Sequence, residues 1–541
     1  MQHCLSLLSL THVHPNPTTP CFNHIIHITG TKGKGSTAAM TESILNQNNL
    51  HTALFTSPHL VSPRERIRID GLPISELEFS TAFFKVQDLL SATPNIGYFR
   101  LLTLLSLYVF ANHRFPDSKP IDVLILEVGI GGEYDATNLF SHSVASCITR
   151  LDLDHCRVLG STLELIAREK SGIFRKGAKV FTVEQHDEGA MRAIKFRGKE
   201  RNVKSLEVIS PETMLFQHQY RATGAGTAAE IEFSTLPNRA LSFMTFSWIW
   251  SVLGRLISII PISIRSSLYD KFAANRFKLF GDAPAPARAH AKIELGMKGD
   301  YQYENAALAV KMSRVLLESL DQEVDLEAEK MGLERAIWPG RCQKVSDKEG
   351  GDVYYLDGAH TLKSIEVCCD WFWKDIAKSA TASATATHKN VLMFNCSHER
   401  DPIKILHIAV NGPGGEDCSF FDDIVFTKSN SERPSKIPVP SVAELVEGRA
   451  RARAPDSCKE ELTWQQTLKS AFHIIYPAST TKVHVSGSVT SALRFLESNK
   501  QSNNKHKHNN ILCTGSLLLV GSFLEEINWT EDNPRGHLYL L

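Results

Sequence analysis

The sequence predicts an α/β protein built on two mostly parallel sheets, each with helices on both faces. Two series of segments carry this reading. Apolar, β-branched runs recur at residues 24–29, 121–128, 144–149 and 179–183, separated by helical patterns such as 100–112 and 161–171. A second series follows Arg341, at 352–356, 390–394, 422–427, 482–486 and 510–514. Continuous apolar strands alternating with helices are the pattern of parallel sheets buried on both faces. Composition agrees: of 541 residues, 43% are hydrophobic and 22% charged, near the globular average, which excludes collagenous, coiled-coil and wholly disordered chains.

Each element follows in order. Residues 1–23 contain no Arg, Lys, Asp or Glu, so neither a secretory signal nor an Arg-rich transit peptide is well formed there. They read as a poorly ordered leader, with His3, His12, His14, His24 and His27 clustered before Thr29. A strand at 24–29 leads through a glycine-rich loop into a helix from Thr37 with Met40, Ile44 and Leu45 on one side. The first domain is expected to run over 24–337, the second over 342–541, with 338–341 as the hinge. Residues 378–387 and 498–510 are polar or low-complexity and read as loops. Residues 234–291 form an insertion whose stretch 241–264 is apolar, but Arg255 and Pro261 argue against a membrane span.

Charge and cysteines narrow the function. Lys plus Arg and Asp plus Glu number 59 each, so binding to nucleic acid through bulk charge is not expected. Eleven Cys with no C-x-x-C pair read as reduced thiols without a zinc framework.

Chemistry concentrates at strand ends. Gly30-Thr31-Lys32-Gly33-Lys34-Gly35-Ser36-Thr37 lies between a strand and a helix, where glycines let backbone N–H groups converge and the helix N-terminus adds positive potential. Lys34 would neutralise phosphates, and Ser36 would bind a phosphate or Mg2+. Gly35 between Lys34 and Ser36 departs from the usual phosphate-loop spacing. Glu127 ends an apolar strand just before Gly129, Gly131 and Gly132, at the sheet edge that faces the same crevice. A Mg2+ bridging phosphates needs such an oxygen ligand. Asp154-His155 follows the next strand, and Lys170 lies one helix later, where alone it looks like an exposed helical lysine. In the second half, Asp357-Gly358-Ala359-His360 and the run from Asn395 to Pro402 also follow strands, so this domain is expected to face the nucleotide from the other side.

Ten motifs then occur in order: HITGTKGKGST, TSPHL with RERIRIDG, LEVGIGGEYDATN, LDLDH, EKSGIF, GDYQYENAALAV, WPGRCQ, YYLDGAHT, FNCSHERDP and CTGSLLLVGSFL. Together, from about His27 to Leu524, they resemble the eukaryotic-type folylpolyglutamate synthase family within the Mur ligase superfamily. The resemblance implies an N-terminal P-loop ATPase domain with a mostly parallel sheet and a C-terminal Rossmann-like α/β domain. It implies an ATP-dependent ligase that adds L-glutamate to a reduced folate or its polyglutamates through an acyl phosphate, with ATP and Mg2+ required and a monovalent cation such as K+ compatible. By motif, Gly30, Thr31, Gly33, Lys34, Gly35, Ser36, Thr37, Asn305, Arg341 and Asp357 would hold ATP. Ser36, Ser57 and Glu127 would hold one Mg2+. Glu127, His155 and Lys170 would surround a second, Lys170 as a carbamate in bacterial relatives. Lys34, His155, Lys170, Asp357 and His360 would serve catalysis, and Arg66 would approach folate. A monomer is implied, with small-molecule substrates only and no membrane association, in the cytoplasm or in a mitochondrial form or pool. Two departures stand out: the short leader where the family has a helical segment, and the insertion. The alternatives are dihydrofolate synthase, which glutamylates dihydropteroate, a P-loop nucleotide switch, and a catalytically dead paralogue.

Overall fold

A computed structural model describes residues 22–93, 95–210, 293–346, 351–382, 388–397, 401–411, 420–430, 463–502 and 508–529. The insertion, including its apolar stretch 241–264, lies outside the described residues, as do residues 1–21. Among the described residues no helix is long and apolar enough to cross a membrane.

The first sheet has eight strands: β1 (Ile25–Thr29), β2 (Thr52–Phe55), β3 (Ile67–Ile69), β4 (Leu72–Pro73), β5 (Val123–Glu127), β6 (Ala145–Ile148), β7 (Lys179–Val183) and β8 (Ser205–Ile209). Their order is β4-β3-β2-β5-β1-β6-β7-β8. All neighbours from β2 to β8 pair in parallel; β3 and β4 add an antiparallel edge. Helix α1 (Lys34–Gln47) follows β1; α2 (Glu76–Leu89) and α3 (Tyr98–Asn112) precede β5; α4 (Cys156–Leu159), α5 (Leu163–Lys170) and α6 (Glu188–Glu200) lie around β6–β8; α7 (Gln302–Ser319) and α8 (Leu326–Arg335) come later in the chain.

Strand alternation sends β1 and β5 side chains to both faces. Ile26, Ile28 and Ile125 pack with Met40, Ile44 and Leu45 of α1 and with Leu308 of α7. Ile25, Leu124 and Leu126 pack with Leu104 and Phe110 of α3. Phe22 joins that second cluster, edge-on to Phe140, so the ordered domain starts earlier than the 1–23 leader implied: an aromatic side chain at the mouth of a buried strand gains more from the core than from water.

The second sheet runs β13-β12-β11-β14-β10-β9, with β9 (Gln343–Ser346), β10 (Val353–Leu356), β11 (His388–Phe394), β12 (Asp423–Thr427), β13 (Lys482–Ser486) and β14 (His508–Thr514). Only β9 is antiparallel. Its helices are α9 (Leu362–Ala382), α10 (Pro402–Val410), α11 (Thr463–Ile475), α12 (Val489–Ser502) and α13 (Leu517–Glu526). Thus α9, α12 and β14 take in parts of both segments read as loops. Phe372, Leu392 and Phe426 fill one face, and Val391, Met393, Leu519 and Phe523 the other.

This topology places the site. β1 lies between β5 and β6, and the chain leaves it first toward β2 and later crosses to β6. The carboxyl ends of β1 and β5 therefore border a switch point, where open α/β sheets bind ligands.

Candidate active site

The loop after β1 is shaped by the protein itself. Thr31 and Lys32 N–H groups both donate to the Arg150 carbonyl (3.0 Å each), and Thr31 Oγ1 donates to the Asp152 carbonyl (3.1 Å). Thr31, read as an ATP contact, thus spends these donors on the loop. Gly30 has φ 146, and a Cβ there would lie 1.9 Å from Thr149 Oγ1. Gly33 caps α1 with φ 89, and its Cβ position would meet Asn305 Oδ1 at 2.2 Å. Both glycines are needed for backbone shape and close approach.

Helix α1 begins at Lys34, earlier than the Thr37 start read from the sequence. Its first intrahelical bond runs from Thr37 N to the Gly33 carbonyl (2.9 Å), so the N–H groups of Lys34, Gly35 and Ser36 have no partner within the helix. They form an anion seat at the positive end of the helix. Ser36 is buried, with its Oγ accepting from Gln302 Nε2 (3.4 Å); Asn305 Nδ2 donates to Gln302 Oε1 (2.8 Å), and Thr37 Oγ1 donates to Asn305 Oδ1 (3.4 Å). Gln302 had no signal of its own in the sequence; it lies one helical turn before Asn305.

Gly35 opens onto a cleft whose walls include Ser57, Glu127, Arg68, Trp338 and Arg341. Glu127 is 3% exposed. Its Oε2 accepts from Thr56 Oγ1 and from Ser57 N (3.0 Å). No hydrogen bond among the described residues falls on Oε1. Burial pushes the carboxyl above its usual range, opposed by Lys34, the Thr56 and Ser57 hydrogen bonds and Arg341. Among the described residues, no three His, Cys, Asp or Glu side chains gather as a metal cage. Glu127 and Ser57, which both line the cleft, are oxygen donors of the kind that Mg2+ takes when it is shared with phosphates and water.

Lys170 is 4% exposed and donates through Nζ to the Gly30 carbonyl (2.7 Å). It is thus not the exposed helical lysine that its position in a polar helix suggested: the last turn of α5 folds under the phosphate loop. Burial, then the Lys34 charge, lowers its amine to about 7. His155 is exposed at a left-handed position (φ 53) that caps α4, and its ring makes no hydrogen bond among the described residues. Neither residue lines the cleft.

From the second sheet, Asp357 at the end of β10 accepts from Cys342 N (2.7 Å) and Ala359 N (2.8 Å). Burial raises its carboxyl, with Arg341 as the main opposing charge. Asp357 therefore anchors the turn that carries Arg341. His360 Nδ1 pairs with the Gly358 carbonyl (2.7 Å).

Arg66 is buried at the end of a 3-10 turn (Pro63–Arg66), donates through Nε to His59 Nδ1 (2.8 Å) and lies over the Tyr98 ring at 5.8 Å. Burial and Arg66 lower His59 to about 4; burial and Arg175 lower His27 to about 3. An unfolded histidine binds a proton below about 6.5. The folded protein refuses that proton, so the unfolded state holds more protons in this window. Stability is then fully present above pH 6.5 and is lost as pH falls toward 4. His59→Asn should flatten this acid limb in urea-unfolding midpoints measured from pH 7 to 4; an unchanged limb would contradict the locked neutral state.

Comparison with known proteins places this geometry. No protein-family model matches the chain. It is 31% identical over 532 residues to a folylpolyglutamate synthase of Saccharomyces cerevisiae, covering 93% of this chain and 76% of the relative. Its fold matches Mycobacterium tuberculosis folylpolyglutamate synthase complexed with ADP and AMPPCP (TM-score 0.59, 20% identity, 96% and 93% of the two chains). It also matches a bifunctional folylpolyglutamate synthase/dihydrofolate synthase from Yersinia pestis complexed with AMPPNP and Mn ion (TM-score 0.57, 20% identity, 98% and 92%). The α/β fold with two largely parallel sheets, the phosphate loop after β1 and the likeness along the chain together make this protein a member of the folylpolyglutamate synthase family.

Proposed function

We propose that the protein joins L-glutamate to the γ-carboxylate of tetrahydrofolate or its polyglutamates, using ATP and giving ADP and phosphate. The carrying observation is one cleft that unites the first turn of α1 at Gly35, the Glu127 carboxylate and Arg341 from the inter-sheet link.

A carboxylate does not react with an amine at useful rates, because oxide would have to leave. Transfer of the ATP γ-phosphoryl group to the folate carboxylate gives an acyl phosphate and ADP. The glutamate amine then attacks the acyl carbon, forming the amide, and phosphate leaves with loss of a proton from nitrogen. Two anions must meet in the first step. Lys34 and the N–H groups of Gly35 and Ser36 offset that repulsion and stabilise charge on the transferred group. Ser36, Ser57 and Glu127 would hold Mg2+, which would supply further charge neutralisation at the phosphates. Asn305 and Arg341 contact the nucleotide, Asp357 orients Arg341, and His360 stands at the second domain's side of the cleft. By the family resemblance His155 and Lys170 would serve a second Mg2+, though neither lines the cleft, and Arg66 would serve the folate side. Water must be kept from the acyl phosphate; closure about 338–341 does this. All seven cysteines among the described residues are free thiols, which suits a reducing compartment such as the cytosol, and the protein is read as a monomer.

Incubation with tetrahydrofolate, [3H]glutamate and Mg-ATP, followed by product sizing, tests this. Labelled folates carrying more than one glutamate are expected, with one ADP per bond. Label entering only a dihydropteroate acceptor would make the protein a dihydrofolate synthase, and no label in either acceptor would make it catalytically dead.

A further inference from the structure

Glu42 and Arg68 form an ion pair that the proposed chemistry does not use. Their side chains are 3% and 6% exposed, and Arg68 Nε donates to Glu42 Oε2 at 3.3 Å. The pair is further tied by Gly71: its N–H donates to Glu42 Oε1 (3.2 Å), and its carbonyl accepts from Arg68. Burying two charges is costly, and hydrophobic replacement of such a pair is often neutral or stabilising, so the pair is weak evidence for a stability role.

Its surroundings suggest another role. The Arg68 guanidinium lies over the Trp338 ring, 5.4 Å from the centroid. Trp338 Nε1 in turn lies against the phosphate-loop helix: a Cβ on Gly35 would come within 2.8 Å of it. Glu42 belongs to that same helix, α1. A closed circuit results, from Glu42 to Arg68 to Trp338 and back to Gly35. The helix before the link also sits on α1, where Ser43 Oγ donates to the Gly332 carbonyl (2.7 Å). Arg68, Trp338 and Arg341 line one cleft with Glu127.

We propose that Arg68, braced by Glu42, is a positioning residue that seats Trp338 on the first turn of α1 and so holds Arg341 toward Glu127. This rests on the ligase reading above. The guanidinium is suited to the task because it offers a planar face to the indole while its edge pairs with the carboxylate; an ammonium keeps the charge but has no face.

Arg68→Lys is therefore the informative variant, since it leaves Glu42 with a cationic partner. Its kcat should fall about tenfold, because a misplaced group costs most in the transition state. ADP should still bind at unit stoichiometry, weakened no more than severalfold, because the anion seat is untouched and only the Arg341 contact shifts. Trp338→Ala should behave alike, and the double variant should be no slower than Trp338→Ala alone, as expected for two residues acting through one contact. A merely structural role would lower ADP stoichiometry instead. Parental kcat in Arg68→Lys, or losses that multiply in the double variant, would overturn the proposal. Should Arg68→Lys bind no ADP, Trp338→Phe and Trp338→Leu decide: both keep apolar bulk, only Phe has a face, and equal kcat would overturn the proposal. A parent with no ligase activity would refute the ligase reading and the brace with it, whereas an active parent with unaffected variants refutes the brace alone.

Discussion

Lys34→Ala is expected to abolish ligation almost completely, with kcat reduced about 10³-fold or more. Lys34 is the first residue of α1 and only partly buried, so its side chain adds little to the core. Its charge nevertheless acts on both Glu127 and Lys170. On the proposed mechanism it meets the incoming phosphates, and without it the two anions of the first step are left to repel each other. The thermal midpoint should stay within a few degrees of the parent. Retained turnover with an unchanged KM for ATP would refute the phosphate-loop assignment.

The second large effect is expected at Glu127. Glu127→Gln preserves size and leaves an acceptor for Thr56 Oγ1 and Ser57 N. If the amide oxygen takes those donors, the NH2 group must occupy the position of Oε1. It then presents hydrogens where a hard cation needs oxygen. The Mg2+ concentration for half-maximal rate should rise at least about tenfold and kcat should fall about 100-fold, with folate binding retained. If His155 is a nitrogen ligand, His155→Ala should raise the Mg2+ requirement less, and Mn2+ should rescue it only in part. Mg2+ activation curves that match the parent for both variants would make the two residues structural.

Much of this arrangement was legible in the sequence. β7 has the bounds that its apolar run indicates, because a strand buried on both faces writes itself as a continuous apolar segment. The phosphate loop and Glu127 were legible for a related reason: glycines and a carboxylate abutting such strands are local signals. The short strands were not. β3 and β4 have only three and two residues, and β8 pairs along a sheet edge with exposed Glu207 and Val208 interrupting its pattern. The burial of Lys170 was equally hidden, since a lysine ending a polar helix looks solvated until the fold brings the Gly30 carbonyl against it. Gln302, Arg68 and Trp338 fall within motifs quoted above, but their places at the site come from tertiary packing between segments distant in sequence.

The Arg150 carbonyl that receives both Thr31 and Lys32 has a consequence for affinity. Arg150 is itself held by Glu304 of α7, and Gly33 is wedged against Asn305 of the same helix. The loop backbone is thus held by contacts within the protein itself. Ordering a flexible loop on binding would subtract conformational entropy from the gain of each phosphate contact. Here that subtraction falls on folding instead, so the binding free energy of the triphosphate is governed by charge and desolvation rather than by the cost of shaping its cradle.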